Sequence, residues 1–447
     1  MARDLTKGSI PRHTLALAIP AVLSMFTIVV NNFVDTALVG HLGNAELAAV
    51  GSAGFIIWLI FSIMDIFTVG TVAIISRDYG AENFRAASEK SMDIIRFAAL
   101  FSIVLAVTGA IFSGEIFKLL NLGPEVEDLG RVYLMIVFLS IPALFLWEVV
   151  NAIFRSVGDT TTPMIIMIAA IGLNIVLDIF LIYGVWIFPR LETMGAAIAT
   201  AIAHTAGAIL ALFFVLKGKI PFRILPRSLR GINYDVIRKL FKIGLPISVA
   251  SIIFSLVYLV LTRIMSEFGT AAVAAIPAGN RAESISYMTC FGFYMATSSM
   301  VGQNLGAGQT ERASKAAWTS VGIISVITFV FGVIFFVFSR EIVSILTDKP
   351  DVLTVAASYL KILAISQVFM GLEFVLEGVF AGAGRTMPPT IVSIPGTLLR
   401  IPLAYYLAIS LGMGPNGIFW AITISTILKG IAMLVWFRAG TWKRKEV

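Results

Sequence analysis

Long apolar stretches recur along the whole chain and are separated by short polar connections. Each stretch is about as long as an α-helix needs to be to cross the roughly 30 Å hydrocarbon layer of a membrane. The pattern predicts about twelve such helices and therefore an all-α membrane protein. The predicted spans are residues 14–38, 47–73, 91–112, 132–154, 163–184, 194–216, 243–265, 273–301, 317–338, 355–380, 389–411 and 417–437.

Composition supports a lipid-embedded chain. Of the 447 residues, 58% are hydrophobic and 13% are charged, so a water-soluble fold would lack the polar side chains to cover its surface. The net charge of +7 does not indicate nucleic-acid binding, because Lys and Arg crowd into alternate connections as the positive-inside rule requires. We therefore predict a multi-pass protein of the cell (inner) membrane, with both termini in the cytoplasm and no nucleic-acid partner.

An internal duplication organises the chain. Sliding the sequence on itself by 226 positions aligns landmarks from the first predicted helix through the fifth. The aligned pairs include Pro20 with Pro246, Tyr133 with Tyr359, Gly158 with Gly384 and Pro163 with Pro389. Each unit holds an even number of crossings, so the repeat is parallel. We predict an N-terminal six-helix lobe at 1–216, a basic cytoplasmic linker at 217–242, a C-terminal lobe with its tail at 243–447, and a substrate cavity between the lobes.

Ionisable residues inside the apolar spans identify a candidate site. A charge at the bilayer centre costs about 2.5 to 3.5 kcal/mol even on the lenient insertion scale, so such residues are candidates for function. Asp35 and Asp178 fall at similar depth in the outer halves of helices 1 and 5, with Asn174 one turn from Asp178 and Thr200 on helix 6. Such carboxyl groups can carry a proton, and together with amide and hydroxyl oxygens they suit Na⁺. We predict that these four residues couple transport to H⁺ or Na⁺.

The predicted cation-coupling cluster belongs to the first lobe alone. The repeat places Leu261, Arg400 and Ala404 at the positions of Asp35, Asn174 and Asp178. The alternative interpretation is that these polar side chains only cap or cross-link membrane helices.

A second set of polar residues is assigned to a substrate or secondary ion path: Asn31, Asn151, His204, Glu373 and Glu377. Their alternative role is internal hydrogen bonding or pairing with basic groups. Likewise, the second-lobe residues Arg281, Glu283, Arg400 and Lys429 are interpreted as a structural ion-pair network. Pro20 interrupts helix 1 and is the predicted hinge, although a purely architectural kink explains it too.

Motifs for enzymatic chemistry are missing from the sequence. The glycine-rich run at 302–308 is not followed by GKS or GKT, and neither HExxH, a Cys/His cluster nor a GxSxG elbow occurs. The single cysteine, Cys290, excludes a disulfide framework. We therefore expect a protein that is not an enzyme and has no cofactor besides its coupling ion. A membrane-embedded acyl or glycosyl transferase remains an alternative, although it would need a nucleophile or an acid/base pair.

Four local sequences resemble the multidrug and toxic compound extrusion (MATE) family. They are NFVDT at 32–36, VGHLG at 39–43, RSVGDTTTPM at 155–164 and GQNLGAGQ at 302–309. The resemblance covers essentially the whole chain. It implies a V-shaped pair of six-helix lobes that exports organic cations or other amphipathic compounds by antiport against H⁺ or Na⁺. We expect a monomer in the lipid bilayer with a small-molecule substrate.

The resemblance also implies roles for individual residues. Asp35 with Asn174 and Asp178 resembles the first-lobe cation site of the DinF-like branch, where Pro20 corresponds to the proline at which helix 1 bends and Asn151 to a helix 4 asparagine. The NorM-like branch has an acidic residue in the middle of helix 7, where this sequence offers only Phe254, Ser255 and Tyr258. A flippase for lipid-linked saccharides stays open as an alternative, because Arg281, Arg400 and Lys429 suit a pyrophosphate.

Overall fold

The computed structural model describes residues 2–224 and 231–443. Linker residues 225–230 and tail residues 444–447 lie outside the described residues, so predictions about them are not tested. The described chain forms twelve long helices in the predicted order, which confirms the all-α membrane fold. They are α1 Ile10–Gly40, α2 Asn44–Gly80, α3 Phe84–Leu120, α4 Pro124–Ser156, α5 Thr161–Tyr183, α6 Glu192–Leu216, α7 Tyr234–Phe268, α8 Thr270–Gly306, α9 Thr310–Val337, α10 Pro350–Gly382, α11 Met387–Ser410 and α12 Pro415–Arg438.

Eleven of these helices in the described ranges are long and apolar enough to cross a membrane. The remaining one, α8, is 37 residues long, but it carries Arg281, Glu283 and several serines and threonines. Most helices are longer than the predicted spans; α3, for example, begins at Phe84 and ends at Leu120, beyond the predicted 91–112. The apolar pattern marks only the part of a helix within the hydrocarbon layer, and a helix continues past it wherever backbone hydrogen bonds continue.

The chain divides into two compact units. The first holds Leu23–Lys242, and the second holds Leu5–Val22 together with the chain from Ile243. Helix α1 is therefore shared between the units, and the division follows Pro20 by two residues. The helix is continuous through this proline.

The glycine-rich motif at 302–309 anchors the N-terminal segment in the second unit. The Leu5 backbone N–H donates to Gln303 Oε1 at 3.1 Å, and Asn304 Nδ2 donates to the Leu5 carbonyl at 3.3 Å. Arg312 Nη2 donates to the Gly8 carbonyl at 2.9 Å. These bonds explain why a motif with no phosphate to cradle carries buried amide side chains.

The two units repeat the same turn geometry. Gly158 and Gly384, 226 residues apart, both adopt left-handed backbone angles, with φ of 75° and 69°. The next residue in each unit, Asp159 or Arg385, donates its N–H to a carbonyl five residues earlier, at 2.9 Å in both. This turn ends α4 in the first unit and α10 in the second. Glycine meets the left-handed requirement without the penalty a Cβ would bring.

Asp159 caps the start of α5. Its carboxylate accepts the N–H groups of Thr161 at 3.1 Å and Thr162 at 3.0 Å, and the Thr162 hydroxyl at 2.7 Å. Burial would raise the pKa of Asp159, but favourable interactions that include the hydrogen bonds from Thr162 hold the pKa below its ordinary 3.8. Arg385 stands at the equivalent turn of the second unit and donates instead to the Thr441 carbonyl.

Two glycines one turn apart allow α10 to lie against α8. A Cβ at Gly378 would lie 2.6 Å from the carbonyl oxygen of Tyr294, and one at Gly382 would collide with the carbonyl oxygen of Ser298. Small residues at this spacing let membrane helices approach closely and gain van der Waals contact. Close packing of α8 and α10 therefore depends on the absence of side chains at these positions.

We predict that Gly382→Ala destabilises the protein by about 1 to 3 kcal/mol, because the methyl group forces α10 away from a backbone carbonyl that cannot rotate aside. Thermal unfolding in detergent measures the effect. Gly322→Ala is the matched control, since Gly322 is helical, exposed and has nothing within 4 Å of its Cβ position. Equal unfolding temperatures for the two variants would contradict this account of the α8–α10 contact.

We predict that Asp159→Asn lowers stability by about 0.5 to 1.5 kcal/mol at neutral pH, because the asparagine amide keeps one accepting oxygen but loses the second oxygen, which accepts the Thr162 hydroxyl. A carboxylate with a lowered pKa contributes stability above its unfolded value and loses it as the pH falls through the folded value. The gap in unfolding temperature between wild type and Asp159→Asn should therefore be full well above pH 3.8 and close below it. The exposed Asp235→Asn serves as control, and a gap independent of pH would refute the assignment.

Candidate functional site

The candidate cation site begins on α1. Asn31 and Asp35 are four residues apart on the same helix face, and Asn31 Nδ2 donates to Asp35 Oδ2 at 2.9 Å. Both residues are half-buried. The remaining oxygens, Asn31 Oδ1 and Asp35 Oδ1, are buried and have no hydrogen-bond partner in the part of the chain that the structure describes. The sequence analysis assigned Asn31 to a secondary path, whereas the structure places it in direct contact with Asp35.

Helix α5 contributes the second half of the site. Asp178 is 1% exposed and Asn174 is 3% exposed, and they stand one turn apart. Both carboxylate oxygens of Asp178 and the amide nitrogen of Asn174 lack a hydrogen-bond partner among the described residues. Buried polar groups in native proteins are normally satisfied. These unsatisfied polar atoms are therefore the groups that a bound ligand would contact.

The carboxyl groups of Asp35 and Asp178 lie within hydrogen-bonding reach of each other. Two ionised carboxylates have only acceptors, so a bond between them requires a proton. A small cation between the oxygens would serve the same purpose, because hard cations prefer carboxylate and amide oxygens. The pair can therefore hold one exchangeable positive charge, either a proton or an alkali cation.

Tyrosines on α4 and α5 complete the surroundings, and the sequence analysis did not assign them to the site. Tyr133, on α4, is buried and close enough to both Asp35 and Asp178 to interact with their charges. The Tyr183 hydroxyl donates to the Leu38 carbonyl at 2.8 Å and so ties the end of α5 to α1. The available sequence signal was the alignment of Tyr133 with Tyr359 in the repeat.

Helix α6 packs closely on α5. A Cβ at Gly195 would lie 2.6 Å from the Leu181 carbonyl oxygen, so glycine is required for this approach. Thr200 lies on α6 and is half-buried. Among the described residues, Thr200 forms no hydrogen bond to the carboxyl groups. Its predicted supporting role thus remains a prediction.

Two further predicted residues lie in separate polar contacts. Asn151 Nδ2 donates to Glu148 Oε1 at 3.1 Å, and Glu148 also pairs with Arg155 at 3.8 Å. His204 Nδ1 lies 3.0 Å from the Ser140 hydroxyl. Asn151 is therefore linked through Glu148 to Arg155 at the end of α4, and His204, on α6, contacts the neutral Ser140 on α4. Neither residue is hydrogen-bonded to Asp35 or Asp178 in the described part of the chain.

The second-unit acids are satisfied by basic and polar groups. Glu373 Oε1 forms an ion pair with Lys429 Nζ at 2.8 Å, and Glu377 interacts with the same lysine electrostatically. Glu283 accepts hydrogen bonds from Tyr359 at 2.7 Å and from Gln367 at 3.2 Å. This network fits the predicted structural ion-pair interpretation better than an open ion site. No cluster of three His, Cys, Asp or Glu side chains that could hold a metal occurs in the described residues.

Comparison with known proteins defines the class. The MatE family model matches residues 20–180 and again residues 246–406, so the two matches begin 226 residues apart, the offset of the sequence repeat. The chain belongs to this family of multidrug efflux transporters. It is therefore a multi-pass membrane transporter, and the matches do not favour a lipid-linked saccharide flippase.

Relatives match over nearly their whole length. A probable multidrug resistance protein NorM of Thermotoga maritima is 26% identical, with 99% of this chain and 96% of the relative covered. A protein of Shewanella oneidensis named FAD transporter is 29% identical, with 96% of this chain and 94% of the relative covered. The solved structure of a MOP superfamily transporter from Pyrococcus furiosus superposes with a TM-score of 0.92 at 22% identity, covering 99% of this chain and 98% of the other.

We predict that Asp178→Asn abolishes an alkaline loss of stability that wild type shows in the absence of Na⁺. Deprotonating the carboxyl pair leaves two neighbouring negative charges, whereas an asparagine amide at 178 donates to Asp35 at every pH. The effect should be about 1 to 3 kcal/mol, the range for a buried group left unsatisfied. Unfolding temperature against pH measures it, with Na⁺ titrated in a second series.

Recovery of wild-type stability on adding Na⁺ at alkaline pH, but not on adding the much larger choline ion, would assign Na⁺ to the pair. Recovery only on lowering the pH would assign H⁺. Parallel pH curves for wild type and Asp178→Asn would show that the two carboxyl groups do not share a cation.

Proposed function

We propose that the protein exports amphipathic small molecules, including organic cations, in exchange for H⁺ or Na⁺. Asp35 and Asp178 are the coupling carboxylates, with Asn174 and Thr200 as supporting groups. The observation that carries this proposal is the buried, close approach of the two carboxyl groups with oxygens that no described group satisfies. A site that needs a cation, in a chain of a transporter family, supports coupling of export to cation entry.

Alternating access requires a helix that can change shape. The proposed hinge is Pro20, because proline lacks the N–H that would complete the helical hydrogen bond and its ring disfavours regular packing. This proposal is supported by the boundary between the two compact units, which falls within α1, directly after Val22. Binding or release of a cation at Asp35 acts on the same helix, four turns farther along, and so can bias the conformation of α1 at the proline.

The protein is proposed to lie in the inner membrane with both termini in the cytoplasm. This orientation is supported by the alternate placement of Lys and Arg in the connections. With this orientation, α1 and α5 both run outward, and the carboxyl pair lies toward the outer side of the membrane. A coupling ion arriving from outside meets Asp35 and Asp178 after a short path.

The proposed substrates are aromatic and amphipathic. The names of two relatives refer to multidrug resistance and to FAD, and FAD combines a flat aromatic ring system with polar groups. A monomer is sufficient for the proposed mechanism, because all the coupling residues come from one chain.

We predict that reconstituted protein releases a fluorescent organic cation, such as ethidium, from proteoliposomes when an H⁺ or Na⁺ gradient is imposed. Asp35→Asn and Asp178→Asn should each reduce gradient-driven efflux to the rate of empty liposomes, since neutral amides cannot exchange a charge. The exposed Asp128→Asn is the matched control and should transport as wild type does.

The gradient that drives efflux identifies the coupling ion. Full activity in the Asp35→Asn, Asp178→Asn double variant would refute the assignment of these residues. Absence of transport under either gradient, by a correctly folded wild type, would refute ion-coupled export of this substrate class.

A further inference from the structure

The second unit has lost the cation site at the equivalent position and gained a positive charge. The offset of 226 residues places Arg400 where the first unit has Asn174, and Ala404 where it has Asp178. Leu261 replaces Asp35 in the same way. Duplication therefore produced two related positions in which the first has two carboxyl groups and the second has a guanidinium.

Arg400 is deeply buried and is held by neutral partners. It is 3% exposed and lies within the apolar span of α11. Its Nε donates to the Ser425 hydroxyl at 2.7 Å and its Nη2 donates to the Thr426 hydroxyl at 3.2 Å, both on α12. These bonds fix the plane of the guanidinium but do not neutralise its charge.

Carboxylates near Arg400 are engaged elsewhere. Glu283 interacts with Arg400 over a longer range, and its two oxygens accept hydrogen bonds from Tyr359 and Gln367. Glu373 pairs with Lys429. Lys429 carries a second positive charge, which interacts electrostatically with Arg400. Within the described residues, Arg400 forms no ion pair with a carboxylate.

One donor of Arg400 is left open. Nη1 is buried and makes no hydrogen bond to a described residue, and the Tyr258 hydroxyl lies close to the guanidinium. Leaving a buried charged donor without an acceptor is costly, and charged donors exceed the range for neutral ones. A charge in the hydrocarbon region is by default a functional candidate. The open Nη1 group therefore indicates an acceptor that arrives with a ligand.

An aromatic wall stands beside this donor. The guanidinium carbon lies 5.5 Å from the Phe254 ring centroid and 5.7 Å from that of Tyr258. The two rings are 4.8 Å apart, and both residues are half-buried, so part of each remains accessible. Rings of this kind provide contact area for a flat ligand, and the guanidinium fork matches a carboxylate or a phosphate.

We propose that Arg400, Phe254 and Tyr258 form a binding site in the second unit for the carboxylate or phosphate group of an aromatic substrate. This inference rests on the proposed export function and extends its substrates from organic cations to anionic and zwitterionic amphiphiles. Arg400 then occupies the position equivalent to Asn174, beside the cation-coupling pair of the first repeat, and the two repeats serve different ligands.

Equilibrium binding to the purified full chain tests the proposal. The probes are carboxyfluorescein for a carboxylate, flavin mononucleotide for a phosphate, and ethidium as a cation, each followed by fluorescence anisotropy. Arg400→Gln should weaken binding of an anionic probe about ten- to a hundredfold, the scale of a lost charged hydrogen bond. Ethidium binding should change less than about twofold, well under the 1.4 kcal/mol that a factor of ten represents.

Two further variants separate recognition from structure. Arg400→Lys keeps the charge without the fork and should bind anions with intermediate affinity. Arg340→Gln removes an exposed positive charge elsewhere in the second unit and should retain anion binding within about threefold. Whichever anionic probe depends on Arg400 identifies the group that the site accepts. Equal loss of all three probes in Arg400→Gln would mean a structural arginine and overturn the proposal.

Wild type alone also provides a test if Arg400→Gln fails to fold. Wild type should bind flavin mononucleotide more tightly than riboflavin, which lacks the phosphate, or pyrenebutyrate more tightly than its uncharged methyl ester. Equal affinity within both pairs would overturn the proposal. Gradient-driven ethidium export without any anion binding would refute this inference while leaving cation export intact. Loss of ethidium export in Asp35→Asn is independent of it, so the two failures are distinguishable.

Discussion

The structure depends on the cost of placing a charge in hydrocarbon. Each buried ionisable side chain must find a partner, lose its charge or take up a ligand. Lys429 and Glu373 take the first course, with a direct ion pair at 2.8 Å. Asp35 and Asp178 do not, because each lies beside another carboxyl group and has at least one carboxyl oxygen without a hydrogen-bond partner among the described residues. This difference separates a contact that stabilises helices from one that can exchange an ion.

The two units share their helical framework but differ in the charged side chains at equivalent sites. The turn at Gly158 recurs at Gly384 with nearly the same φ angle, and the family model matches both halves. Side chains at the equivalent site positions nevertheless differ in sign, with a carboxyl pair in the first unit and Arg400 in the second. A transporter built in this way can assign ion coupling to one repeat and substrate recognition to the other without changing the helical framework.

Much of this organisation could be predicted from the sequence. Helix number and order follow from apolar length, and the offset of 226 follows from landmarks such as Pro20 and Pro246. The pairing of Asp35 with Asp178 was predicted from depth in the membrane, since both residues lie similarly far along outward-running helices. The four-residue spacing of Asn31 and Asp35 places them on one helix face and so indicates their contact, whereas depth alone gives no rotation of α1 relative to α5.

Other features depend on three-dimensional packing that no local pattern encodes. Tyr133 reaches the carboxyl pair from α4 through the tertiary arrangement of helices, and an apolar span gives no sign of which of its faces is turned inward. The attachment of residues 5–22 to the second unit depends on amide contacts between Leu5 and Gln303, which are separated by almost 300 residues. Intrahelical spacing and hydropathy cannot reveal such contacts.

The central claim is that Asp35 and Asp178 together hold one exchangeable cation. Infrared difference spectroscopy of the protein, switched between neutral and alkaline pH or between low and high Na⁺, measures this directly through the carboxyl stretching bands. The account predicts one carboxyl group that changes state in wild type, through loss of a protonated-acid band or a Na⁺-dependent shift of the carboxylate bands, and no such signal in Asp35→Asn or Asp178→Asn. An unchanged difference spectrum in both variants would contradict it.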